Sequence, residues 1–238
     1  MSRPESNIVS IVNESVQVPE RRSLSEEAAD ALRELILLEK LAPGTPVPER
    51  DLAEGLGISR TPLKDALRVL EVEGLIEYSA TRRPRVAHPS VEELRDYITV
   101  LGGLEALAGE IACKVATDEE IAAICDQEQA MYRPGRSDME FFHKDMDFHF
   151  AIVAAARNAP LQETHRQYNA RLWRARFMSS RHPDRRDNTF AEHARIAKAL
   201  SQRDAEKVSK ALRRHFDSTI ENIIRIRAAQ DGGKDKAG

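Results

Sequence analysis

Residues 48–76 read Pro48-Glu49-Arg50-Asp51-Leu52-Ala53-Glu54-Gly55-Leu56-Gly57-Ile58-Ser59-Arg60-Thr61-Pro62-Leu63-Lys64-Asp65-Ala66-Leu67-Arg68-Val69-Leu70-Glu71-Val72-Glu73-Gly74-Leu75-Ile76. Leu52, Ala53 and Leu56 give a short helix an apolar side behind Pro48, and Gly57 stops it. Ser59 then stands as an N-cap, Leu63, Ala66, Leu67 and Leu70 form the apolar stripe of a second helix, and Gly74 ends that one. Two helices so close in sequence, the second amphipathic, are the pattern of a helix-turn-helix, whose second helix offers its N-terminal side chains to the major groove. Arg60, Lys64 and Arg68 fall at i, i+4 and i+8 and therefore share one face beside the leucine stripe. Arginine can fork onto guanine, Thr61 suits a phosphate or a thymine methyl, and Ser59 with the helix N-terminus suits phosphate. The basic face of an amphipathic helix also serves simply as a solvated surface, and spacing alone leaves both readings open.

Working outward, Ser23 and Glu26 form a capping box ahead of Ala28, Leu32, Leu35 and Ile36, which predicts a helix to about Lys40. Pro43, Gly44 and Pro46 force a loop. After Gly74, Leu75 to Tyr78 and the residues around Val86 read as two short strands joined by a basic turn carrying Arg82, Arg83 and Arg85. Residues 23–88 are thus expected to form a winged helix-turn-helix. The whole-chain charge of −3 hides a local surplus between Ser59 and Arg85, where Arg60, Lys64, Arg68, Arg82, Arg83 and Arg85 stand against Asp65, Glu71, Glu73 and Glu77.

Residues 90–228 read as an all-helical unit of about six helices without a strand, so the chain is mainly α. Three capping boxes open helices there, at Ser90 with Glu93, Thr117 with Glu120 and Ser137 with Glu140. Asn158 and Pro160 divide two more, Arg181 to Asn188 reads as a polar loop, and Asp204 caps the last. Residues 1–22 are expected as an arm and 229–238 as a disordered tail. With 238 residues, 41% hydrophobic and 32% charged, the chain can bury proper cores. Its longest apolar run, Phe150 to Ala156, is far short of the roughly 18 residues of a bilayer span, and the N-terminus lacks a signal-peptide layout. The expected location is the cytoplasm, without a membrane partner. Cys113 and Cys125 sit in apolar helical patterns and read as reduced core residues.

Asp145 and His149 lie four apart on the helical segment Phe141 to Ala156, so a carboxylate and an imidazole project from one side. His193 and His215 sit on helices either side of the Asp204 break, each one turn from apolar neighbours. Four inward side chains of this kind could meet in a bundle core and hold a metal. An isolated Asp-x3-His pair also fits an ordinary hydrogen-bonded core histidine. His88, His143, His165 and His182 read as ordinary linker, packing or loop residues.

The 48–76 string resembles the GntR family of bacterial regulators. Asp145 to His149, Asn158 to Leu161, Glu192 to Ile196 and Arg214-His215 fall in the order of the FCD ligand-binding domain of the FadR subfamily. The resemblance covers about residues 24–217. It implies that Arg50, Ser59, Arg60, Thr61 and Lys64 contact double-stranded operator DNA, with Arg82 and Arg83 in the wing. It also implies a divalent metal on Asp145, His149, His193 and His215, a small carboxylate effector, a homodimer and, most often, a repressor. One carboxylate and three imidazoles suit Zn²⁺, Ni²⁺, Mn²⁺ or Fe²⁺ rather than Ca²⁺.

Three departures from the family pattern stand out. Lys64 replaces an Arg and so offers a point charge in place of a planar fork. Pro84 lies near a usual wing Gly. Leu101, followed by Gly102 and Gly103, stands where an Arg often grips the effector four positions before the residue matched by Glu105; Arg171 and Arg174, with Arg176, are the expected substitutes. Two other functions are open on the residues. An enzyme would use the metal to activate water, although no general base, nucleophile elbow or phosphate loop accompanies it. An architectural DNA binder would not respond to a ligand at all.

Overall fold

A computed structural model describes residues 22–133, 135–181 and 183–234. Residues 1–21 of the expected arm at 1–22, Pro134, His182 and the last four residues lie outside them. Nine helices and two strands follow in the order α1 (Leu24–Leu37), α2 (Glu49–Gly55), α3 (Arg60–Val72), β1 (Ile76–Tyr78), β2 (Pro84–Val86), α4 (Val91–Val115), α5 (Asp118–Met131), α6 (Asp138–Ala155), α7 (Ala159–Ser180), α8 (Pro183–Ser201) and α9 (Ala205–Lys234) among the described residues.

The four capping boxes at Ser23, Ser90, Thr117 and Ser137 all form, each serine or threonine accepting from the backbone of a glutamate that reaches back to the cap. These reciprocal bonds satisfy amides that the first helical turn leaves orphaned, so the sequence marks each start sharply. Helix ends are less legible. α1 stops at Leu37, short of Lys40, because Glu39 takes a left-handed φ of 57°. Pro183, with φ fixed near its helical value, begins α8 inside the stretch read as a polar loop. The last helix continues to Lys234, into the stretch expected as a tail.

Leu32, Ile36, Leu63, Leu67, Leu70, Ile76 and Val86 bury their side chains together, so α1, α3 and the hairpin close one small core. The hairpin is antiparallel, pairing Ile76 with Val86 and Tyr78 with Pro84. Residues 44–47 run along its other edge: Val47 N–H donates to Pro84 C=O at 2.9 Å and Val86 N–H to Thr45 C=O at 2.9 Å. Pro84, at the first position of its strand, loses no needed donor, and Arg82 supplies the turn's positive φ of 55° in place of a glycine.

In the second unit α4 is the axis, packed against α6, α7 and α9. Gly109 permits the closest approach: a Cβ there would lie 2.4 Å from Val208 Cγ1 and 2.9 Å from Leu212 Cδ1. Its main core joins Ala106, Ala112, Phe148, Ile152, Ile196, Leu200, Val208 and Leu212. Cys113 is buried and Cys125 half-buried, both as free thiols. Among the described residues no helix is long and apolar enough to cross a membrane.

α7 touches both units. Its Arg174 pairs with Glu39 just beyond α1, and its Arg171 lies across Gly74, where a Cβ would sit 2.5 Å from Arg171 Cγ. Arg227 of α9 adds a bond to Pro89 C=O at 3.4 Å.

Candidate metal centre and nucleic-acid interface

α3 presents the expected face. Leu63, Ala66, Leu67 and Leu70 are buried, while Arg60, Thr61 and Lys64 are exposed and make no ion pair or side-chain hydrogen bond among the described residues. Ser59 sits at the N-cap without the side-chain cap bond that a serine there normally makes, which leaves its hydroxyl for another partner. Arg50 projects from the start of α2 with only a 3.7 Å approach to Asp51. Arg82 and Arg83 are exposed at the hairpin tip, held by backbone bonds between Ser79 and Arg83. Arg68 and Arg85 pair instead, with Asp65 at 3.2 Å and Glu77 at 2.8 Å. Arg85 was expected in the turn and lies instead on β2, in register opposite Glu77.

The three histidines come together in the core of the helical unit. One ring nitrogen of each of His149, His193 and His215 lies within 4.8 Å of the others, and all three side chains are buried. Asp145, one turn before His149 on α6, brings its Oδ1 to 3.3 Å from His193 Nε2 and 3.9 Å from His149 Nε2. Those two Nε2 atoms are buried and make no hydrogen bond among the described residues.

Each imidazole is oriented by its other nitrogen. His149 Nδ1 lies 2.5 Å from Glu105 Oε2, His215 Nδ1 lies 2.8 Å from Glu192 Oε2, and His193 Nδ1 lies 3.1 Å from the Tyr132 hydroxyl. A carboxylate or hydroxyl partner on Nδ1 fixes the ring and its tautomer and turns the lone pair of Nε2 inward. Two inward lone pairs with no donor would be costly in a dry core; a cation among them removes the cost. The donor set therefore fits a first-row divalent metal, which Asp145, His149, His193 and His215 would hold.

Burial favours the neutral form of His193 and His215. Burial pushes His193 well below its usual pKa, and the neighbouring His215 and His149 push the same way. Burial also lowers His215, against the opposing pull of Glu192. Burial alone would raise Glu192, but its bonds from His215 and Arg185 outweigh that and bring it down to about 2. Glu105 is likewise held below the carboxylate range, burial being overcome by His149 and His165.

Several residues at this site were not expected to support the metal ligands: His165 read as an ordinary residue, Arg176 as a grip for an effector, and Glu105 only as a position in the family pattern. Glu105, fully buried on α4, also accepts from His165 Nε2 at 2.9 Å, so His165 is a second-layer partner and not an ordinary packing residue. Arg176 is buried with its guanidinium 5.4 Å above the Phe216 ring; its Nη1 donates to Asn169 Oδ1 at 2.5 Å and its Nη2 approaches Asp145 Oδ2 at 3.7 Å. The usable signal was periodicity: Leu161, His165, Asn169, Leu172 and Arg176 form one buried stripe of α7, in which the polar members occupy core positions. Of the residues expected to grip an effector, Arg171 lies over Tyr97 of α4 and against Gly74 of the reading head, and Arg174 pairs with Glu39. Leu101 is fully buried in an apolar cluster with Ile98, Leu172 and Phe216, so that position offers no anchor.

Residues 24–86 match the family described as "Bacterial regulatory proteins, gntR family", and residues 96–218 match the FCD domain. The Nta operon transcriptional regulator of Aminobacter aminovorans is 31% identical over 186 residues, covering 76% of this chain and 87% of that protein. The HTH-type transcriptional repressor RspR of Escherichia coli is 26% identical over 191 residues, covering 79% and 83%. Among solved structures, E. coli McbR/YncC superposes with a TM-score of 0.70 at 20% identity, over 87% of this chain and all (100%) of that one, so the two share a fold.

Proposed function

The chain belongs to the GntR family of bacterial transcriptional regulators and carries an FCD domain, and from that premise we propose that it is a metal-dependent, carboxylate-responsive repressor in the cytoplasm. It is a regulator and not an enzyme. The observation that carries the proposal is the buried cluster of Asp145, His149, His193 and His215, with each imidazole oriented by Glu105, Tyr132 or Glu192. Zn²⁺, Ni²⁺, Mn²⁺ or Fe²⁺ suits these ligands, and when bound it supplies a positive centre able to hold a small carboxylate.

Arg60, Lys64, Thr61 and Ser59 on α3, Arg50 on α2, and Arg82 with Arg83 at the wing supply the contacts to operator DNA. Apart from Arg50, which approaches Asp51 at 3.7 Å, none of these side chains is held in an ion pair among the described residues, which supports that assignment. Arg60 is suited to a base edge and Lys64 to phosphate. α7 supports the coupling of the two units, because the same helix carries Asn169 and Arg176 at the cluster and Arg171 and Arg174 against the reading head. A ligand that favours one position of α7 then changes how the head is held, and the change in DNA affinity equals its differential affinity for the two states.

A homodimer supplies two heads for a two-fold operator. Val100, Leu107 and Val115, at 41%, 46% and 42% exposure, share with Leu104 one outer stripe of α4, which supports that helix as the interface. Leu107→Asp is expected to convert a dimer to a monomer in sedimentation velocity; an unchanged dimer would place the interface elsewhere. Repression is supported by the role printed for the E. coli relative.

The test uses DNA fragments selected from genomic DNA by the protein itself. Metal-loaded protein is titrated onto them by fluorescence anisotropy, with and without a panel of small carboxylates. The expected result is a change of tenfold or more in Kd with at least one carboxylate, lost in Asp145→Ala/His149→Ala. A response that survives in that variant would separate effector sensing from the metal ligands.

A further inference from the structure

The outer groove between α8 and α9 holds two adjoining cavities, of about 460 Å³ and about 520 Å³, and both are lined by Arg195 and Arg214. The first adds Arg185 and Arg225 against Glu192 and Glu221. The second adds only basic charges, Lys198, Lys207 and Lys210. In a chain whose net charge is −3 this is a concentrated positive island.

Among the described residues, two of the cations in this groove are already neutralised and four others are not. Arg185, 5% exposed, is saturated: it pairs with Glu192 at 2.9 Å and donates to Thr219 Oγ1 at 3.0 Å. Lys207 pairs with Asp204 at 2.6 Å. Arg195, Arg214, Lys198 and Lys210 make no ion pair or side-chain hydrogen bond among the described residues. Arg195 and Arg214 stand on opposite helices at the junction of the two cavities, where one ligand can meet both. Guanidinium groups match phosphate oxygens with paired, charge-assisted bonds, and a phosphate monoester carries roughly −1.5 to −2 at pH 7, a charge this groove can balance.

We propose that the α8–α9 groove is an anion site for a phosphate-bearing small molecule, with one phosphate between Arg195 and Arg214 and a second accommodated toward Lys198 and Lys210. It goes beyond the metal-site reading and does not depend on it, because none of these cations belongs to the histidine cluster. Its floor nonetheless touches that cluster: Glu192, which Arg185 holds from the groove side, also receives the bond from His215 Nδ1. The cavity that would take the anion is thus lined by Glu192, the carboxylate that orients His215.

The experiment is isothermal titration of the full-length protein, at fixed ionic strength, with inorganic phosphate, pyrophosphate and acetate. The expected result is saturable binding with one site per chain, pyrophosphate tighter than phosphate, and acetate not saturating. Arg195→Gln/Arg214→Gln, both exposed positions, should weaken pyrophosphate at least tenfold while leaving the circular dichroism spectrum unchanged. A second double variant, Lys198→Gln/Lys210→Gln, should weaken pyrophosphate more than phosphate. No saturable binding in the wild type, or equal binding in the arginine variant, would overturn the proposal. So would an arginine variant that keeps pyrophosphate binding but loses affinity for genomic DNA fragments, which would assign the groove to the nucleic-acid backbone.

Discussion

Glu105 and His149 lie on neighbouring helices, both essentially excluded from solvent, with Oε2 and Nδ1 2.5 Å apart. The other oxygen of Glu105 receives His165 Nε2 at 2.9 Å, so one carboxylate on the axial helix α4 fixes two imidazoles on α6 and α7. Partners of this kind set the orientation and basicity of a metal ligand, and their loss costs about 10- to 100-fold in metal affinity. Glu105→Gln keeps the shape but replaces one acceptor with a donor and removes the charge. The expected outcome is a fall in metal affinity of that size in a chelator competition titration, with helicity retained; unchanged affinity would show that Glu105 only packs.

The metal-free protein should be acid-sensitive in a particular window. His193 and His215 have pKa values lowered from 6.5, chiefly by burial. Below about 6.5 the unfolded chain takes up protons that the folded chain refuses, so stability is full above that value and declines as pH falls through it. Glu105 and Glu192, lowered from 4.5, contribute stability that is lost only below about that value and therefore outside the window. Urea unfolding of chelator-treated protein should give a lower midpoint at pH 5.5 than at pH 7.5. Equal midpoints would mean that the imidazoles titrate normally.

On DNA, Arg60→Ala should weaken specific binding by about 1–3 kcal/mol and relax sequence preference, as expected for a side chain on a base edge. Lys64→Ala should act mainly on salt dependence, reducing the slope of log K against log salt by about one. Both are read from anisotropy titrations over a salt series. If both variants match wild type, α3 does not lie in the groove as assigned.

The local chemistry of this fold was legible in the sequence wherever a side chain and the backbone satisfy each other within a few residues. Ser23, Ser90, Thr117 and Ser137 each mark a helix start for that reason, and Gly74 marks the end of α3 with a φ of 71°. The four proposed ligand positions were legible in part, as an Asp and a His one turn apart and two further histidines on apolar helix faces. The second layer was not. Glu105, Tyr132, His165 and Glu192 act through contacts 23 to 61 residues away in sequence, which no local spacing encodes. The same holds for Arg171 and Arg174, whose place against Gly74 and Glu39 depends on how α7 meets the first unit.

The central claim is that the cluster of Asp145, His149, His193 and His215 senses a small carboxylate through a bound metal. The most direct measurement is a thermal-shift screen of metal-loaded protein against small carboxylates and sugar acids, repeated on Asp145→Ala/His149→Ala. A ligand at about 100 times its Kd stabilises the folded state by about 2.7 kcal/mol, which gives a readable rise in Tm. A carboxylate should raise the Tm of the metal-loaded wild type and have no effect on the variant. Metal-loaded wild type that no carboxylate stabilises, or an equal rise in the variant, would contradict it.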